Sequence, residues 1–226
     1  MLPDALRMFR LGCLFALLFM ASPAWPGAWL RAKDSAFAAA SVTVFKDDYG
    51  YDYKSALYAE WGYRENLTLG FDFEENRDIY GHATAFARVP VADLKNIGRF
   101  AAEFGVGVHH RHRDAWALYK ATLSYGKGFQ TGWGSGWVAI DTTLEYRTHD
   151  ALFRKLDITT GLSAPRLLNP LLQIETSYRS GDPLYWRVRP SVMIRKQDSP
   201  TTWVLGLERK DARDDTGIKV AIWADF

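Results

Sequence analysis

Beyond residue 35 the chain follows one rule almost without pause: apolar and polar side chains alternate. Leu57, Ala59, Trp61 and Tyr63 share one face, opposite Ala56, Tyr58, Glu60 and Gly62. Leu67, Leu69, Phe71 and Phe73 then oppose Thr68, Gly70, Asp72 and Glu74, with Arg64-Glu-Asn66 as the turn between. A period of two predicts strands with one apolar face, because successive side chains of a strand point to opposite sides. Clusters of Gly, Asp, Asn and Pro separate the segments, and no stretch carries a convincing 3.6-residue period.

Repeated to the last residue, the pattern gives about twelve strands of about ten residues, with ten strands as the fallback. Their second faces carry His82, Arg88, Glu103, Lys120, Asp141, Glu145, Arg147, Lys155, Asp157, Glu175, Arg179, Arg187, Arg189, Arg195, Glu208 and Lys219. A water-soluble sandwich also alternates. Three features favour an all-β, transmembrane, antiparallel up-and-down barrel instead. Aromatic residues form 15% of the chain and gather toward strand ends, at Tyr63, Tyr125, Tyr146, Tyr178, Trp186, Trp203 and Phe226. A leader precedes the strands. The final strand alternates up to Phe226 itself. Lipid offers backbone groups no hydrogen bonds, so a sheet inside it must close and leave no edge.

Residues 1–24 read as a secretory leader. Arg7 and Arg10 supply the positive start, Leu11 to Met20 the apolar run, and Ala21-Ser-Pro-Ala24 the small residues before a cut. Met8 offers a second start that would make the leader more compact. A retained helical anchor is opposed by the shortness of the run and by Pro23 and Pro26. Cys13, the one cysteine, lies near the start of the apolar run instead of following it, which argues against a lipoprotein anchor. Its removal would leave neither a disulfide nor a thiolate metal ligand. Residues 25–34 are then a short periplasmic segment and 35–226 the barrel. The net charge of +2 does not point to a nucleic-acid partner.

With both termini in the periplasm, the outer loops fall at 47–51, 74–78, 109–113, 148–150, 180–182 and 210–215. All are charged and short; they could touch lipopolysaccharide phosphates or simply be solvated tips. Pro190 sits mid-strand, where a bulge or local bend is expected. The glycine-rich stretch 126–136 lacks a phosphate-loop pattern and reads as a turn of extra length.

The terminal segment Gly217-Ile-Lys-Val-Ala-Ile-Trp-Ala-Asp-Phe226 resembles the C-terminal recognition strand of outer-membrane proteins. That resemblance implies delivery to the barrel-assembly machinery through the strand ending in Phe226. Gly27-Ala-Trp29, Leu57-Tyr-Ala-Glu-Trp-Gly62, Leu67-Thr-Leu-Gly-Phe-Asp72 and Gly136-Trp-Val-Ala-Ile-Asp141 resemble a group of uncharacterised proteobacterial outer-membrane barrels. The group implies the architecture and an outer-membrane location, and supplies no catalytic residues.

Three functions are compatible with these residues. In the first, Glu60, Asp72, Glu74, Arg88, Glu103, Asp141, Glu145, Arg147, Glu175, Arg179, Arg187, Arg189 and Arg195 face a narrow lumen. Acids on the early strands and arginines on the later ones would set a transverse field across a passive channel for small polar or anionic solutes. In the second, the same charges pair, fill the lumen and make a structural outer-membrane protein. In the third, a rim serine such as Ser180 and His109, His110, His112 or His149 form a lipid hydrolase, although no spacing here matches a known motif. No cofactor or metal pattern is present; Arg111 and Arg113 interrupt the histidine-rich loop and would repel a cation. The oligomeric state is not legible.

Overall fold

The computed structural model describes residues 27–47, 50–77, 79–196, 199–211 and 216–226. The expected leader therefore lies outside the described residues, apart from which every expected strand is present. There are twelve: β1 (Ala36–Asp47), β2 (Gly50–Arg64), β3 (Leu67–Asn76), β4 (Tyr80–Leu94), β5 (Gly98–Arg111), β6 (Asp114–Thr131), β7 (Gly134–Arg147), β8 (Leu152–Leu162), β9 (Leu168–Arg179), β10 (Tyr185–Arg195), β11 (Thr201–Lys210) and β12 (Gly217–Asp225). Each pairs antiparallel with its sequence neighbours, and β1 pairs with β12 from Phe37↔Asp225 to Val44↔Ile218. The sheet is a closed barrel, so no strand edge is left to find hydrogen bonds in lipid.

The alternation read from sequence sets which side chains are enclosed. Phe104, Val106, Leu123, Leu144, Leu205 and Val220 are all exposed on the outer face, Val106 by 59%. Exposed apolar surface on this scale suits hydrocarbon, not water. Aromatic residues flank the belt. Tyr51, Tyr53, Tyr119, Tyr146 and Tyr178 are exposed toward the end opposite the termini, and Trp61, Tyr63, Trp203 and Phe226 toward the termini end. Such rings, apolar with a polar tip, sit best where hydrocarbon meets headgroups.

Three local expectations change. The glycine-rich stretch 126–136 is not a long turn: β6 runs on to Thr131 and β7 starts at Gly134, leaving Gly132-Trp133 between them. Gly126 and Gly136 are wall positions that make room for rings: a Cβ on Gly126 would meet the Trp29 indole at 2.5 Å, and one on Gly136 the Phe129 ring at 2.3 Å. Pro190 causes no bulge. It stays in register with Leu172, and the β10–β11 pairing keeps one register from Val188↔Arg209 to Ser191↔Gly206 on either side of it. A missing N–H interrupts the ladder there without shifting it. Register shifts fall instead at Gly62/Arg64 and Pro90/Ala92. Strands range from 9 to 18 residues, so "about ten" holds for only some.

The enclosed face is not ionic throughout. Trp137, Ala139, Leu171, Met193, Val204 and Ala221 form a buried apolar cluster inside the barrel toward the termini end, joined by Trp29 and Trp223. Residues 27–34 run inside the same mouth. Asp34 N–H donates to the Gly62 carbonyl at 2.8 Å. The Arg31 N–H donates to Thr68 Oγ1 at 2.9 Å. At the far end of the segment, Gly27 lies against Ala139 and Asp141 of β7.

Candidate functional site

The barrel interior holds two main ionic networks and one smaller one. The first spans the lumen. Glu208 of β11, fully buried, takes Lys54 Nζ of β2 at 3.1 Å, Arg187 Nε at 3.5 Å and Arg189 Nη1 at 3.7 Å from β10. Arg187 also reaches Glu175 at 3.1 Å and Glu74 at 3.5 Å. Arg189 pairs with Glu175 as well, and Lys54 lies 3.7 Å from Glu74. Since β3 and β10 are five positions apart around the barrel, the Arg187–Glu74 contact bridges the interior. Lys219 of β12 lies beside them, its Nζ donating to the Gln173 amide oxygen at 3.4 Å. Lys54, Arg187 and Arg189 thus pair with Glu74, Glu175 and Glu208, three basic groups with three carboxylates, and Asp157 of β8 stands directly across from Glu175.

The second network lies on the β2–β6 wall. Glu60 is buried and accepts from Tyr58 OH at 2.5 Å, from Arg88 Nη1 at 2.5 Å and from Arg31 Nε. Arg88 continues to Glu103 at 2.7 Å, and Glu103 to Lys120 at 3.2 Å. Lys120 reaches Asp72 at 3.6 Å, which also meets His82 at 3.3 Å. Charges here balance: each carboxylate has at least one cation within ion-pair distance. Such pairing offsets the cost of removing the groups from water, provided hydrogen bonds complete it. The third group is Glu145 of β7, held by Arg147 at 2.6 Å and Lys155 at 2.5 Å.

The thirteen residues singled out from sequence are therefore distributed as follows. Glu74, Glu175, Arg187 and Arg189 meet in the spanning network; Glu60, Asp72, Arg88 and Glu103 meet in the β2–β6 network; Glu145 and Arg147 pair with each other. Arg179 sits at the end opposite the termini, bound to Asp150 at 2.6 Å and to Asp182. Arg195 is at the termini end, where Nε donates to the Ser199 carbonyl at 3.2 Å. Asp141 stands directly across from Asp157 on β8, and its Oδ1 is buried without a hydrogen-bond partner among the described residues.

Several participants escaped the sequence selection. Glu208, Lys120, Lys155 and Lys219 have the right parity but were not singled out. Lys54 lies just before the alternation becomes clean at Ser55; extending that parity by one step would have found it. Arg31 precedes any strand and carries no periodic signal.

The candidate hydrolase residues are not assembled. His109 is buried, its ring 5.4 Å from Trp116, while His110 next to it faces the opposite way and binds Glu75 at 2.6 Å. His112 and His149 occupy turn positions with positive φ, and Ser180 is exposed on the β9–β10 turn. Among the described residues no serine is hydrogen-bonded to a histidine.

No family model matches the chain, and no curated protein matches it in sequence. Solved structures do match in shape. The KdgM porin is 11% identical, aligned over 84% of this chain and 99% of its own, with a TM-score of 0.58. An outer-membrane channel from Pseudomonas putida F1 is 9% identical over 90% of this chain and 100% of its own, with a TM-score of 0.56. LpxR from Salmonella typhimurium is 9% identical over 82% of this chain and 99% of its own, with a TM-score of 0.51. At such identities the likeness concerns the fold alone: this chain is a closed twelve-stranded antiparallel barrel of the kind found among outer-membrane proteins.

Proposed function

We propose that this protein sits in a bacterial outer membrane and acts as a narrow passive channel for small polar or anionic solutes. The observation that carries this reading is the enclosed basic cluster of the spanning network. Lys54, Arg187, Arg189 and Lys219 converge from three walls of the interior. Basic side chains already withdrawn from water in an enclosed, low-dielectric space offer an entering anion hydrogen-bond donors and favourable potential. Acidic sugars belong to the class that fits, and the KdgM porin of similar fold was solved with oligogalacturonate, though disordered. The apolar belt and aromatic girdles support membrane insertion, and the alternating strand ending in Phe226 supports delivery by barrel-assembly machinery.

The test is ion selectivity in planar bilayers. Arg187→Glu with Arg189→Glu reverses the charge of two of these groups and is expected to shift the reversal potential toward cation preference. Unchanged selectivity would reject the assignment.

One observation favours a second reading, a structural protein that does not transport. The Lys54–Glu208 and Arg187–Glu74 pairs cross the interior instead of lining one wall. Absence of conductance steps above background in purified protein would support it.

A further inference from the structure

The termini end of the barrel is crossed by the chain itself. The segment 27–34 leaves β1 at residue 35 and ends against β7, six strands away in either direction around a twelve-stranded wall. It therefore lies along a diameter of the mouth. Two anchors of different chemistry hold it. Trp29 packs into the apolar cluster around Trp137 and lies over Gly126. Arg31 is buried, pairs with Glu60 and approaches Asp225 at 3.9 Å. The wall is cut to receive the segment: a Cβ on Gly62 would stand 1.9 Å from the Ala32 carbonyl oxygen. Yet the segment belongs to no strand, and among the described residues its backbone bonds to the wall are at Arg31, Asp34 and Ser35. The half beyond Arg31 is held chiefly by side-chain packing. A tether fixed at one end and packed at the other has the build of a hinged strap.

We propose that residues 27–34 gate the termini end of the lumen: seated, the strap closes the mouth, and released from Trp29 and Arg31 it opens it. This rests on the channel reading above, deepening it with a regulatory element. Both anchors lie outside the strands, so the strand pairings do not depend on them, and Glu60 keeps its Arg88 partner when Arg31 is replaced.

The test uses Trp29→Ala, Arg31→Gln and the double variant of the processed full chain, with two readouts. Hydrogen exchange of the N-terminal peptide through residue 35 reports the strap, whether or not the barrel conducts. Bilayer recording reports the lumen. The expected result is at least about tenfold faster exchange beyond Arg31 in the double variant, with conductance or open probability raised severalfold and the single variants between. Faster exchange with conductance equal to that of a conducting wild type would overturn the gate and leave the channel standing. Faster exchange with no steps in any form would overturn the channel reading, and the gate with it. Unchanged exchange in the double variant would also overturn the gate, because Trp29 and Arg31 would then not be what holds the strap.

Discussion

The two ends of the barrel interior are filled by different means. Toward the termini, Trp137, Leu171, Met193 and Val204 pack with Trp29 as they would in a soluble core. Toward the opposite end, Glu208 with Lys54, Arg187 and Arg189 forms a paired network. The apolar half gains from surface removed from water and tolerates reshaping in proportion to volume. The ionic half depends on complete pairing, so one missing partner leaves an uncompensated charge. The first behaves as packing and the second as a circuit, which suits one to carry a seat for the strap and the other to discriminate solutes.

Three substitutions sharpen or break this contrast. The largest effect is expected from Glu208→Leu, which strands Lys54, Arg187 and Arg189 against two remaining acids. A loss of about 3–5 kcal/mol in reversible unfolding from lipid vesicles follows from breaking a buried pair; a neutral result would mean the network is well hydrated. Trp137→Ala should cost about 3 kcal/mol by the same assay, through lost burial and a cavity. It should leave ion selectivity unchanged, and a shift in selectivity would erase the division between the halves. Arg179→Gln should change stability least of the three, because its pairs with Asp150 and Asp182 are open to solvent and screened. A larger loss, measured at both low and high salt, would extend the buried circuit to the rim.

Legibility from sequence followed the same division. Where one face is apolar and the other ionic, as at Glu60 between Ala59 and Trp61, alternation assigns the strand and the direction of the side chain together. Where both faces are locally apolar, polar residues further along the strand have to decide. Leu118 and Trp137 point inward among outward-facing Tyr119 and Val138, and it is their parity with Lys120 and Asp141 that places them. Ion-pair partners were hidden, since Lys54 and Glu208 stand 154 residues apart and meet only once the sheet has closed. The strap was invisible for a simpler reason: an unpaired segment has no period, and its contacts with Gly62, Thr68 and Gly126 depend on the wall already being formed.

The β1–β12 seam sets a condition on how the molecule can come into being. Phe37 faces Asp225, so the pairing that completes the ring joins residues from nearly opposite limits of the chain. Until the last strand is available, every intermediate carries two unsatisfied edges, each able to recruit a neighbouring copy. A chain truncated within β12 is thus not a slightly shorter version of this protein but an open ribbon, prone to self-association. Completion waits on the slowest, longest-range encounter in the molecule.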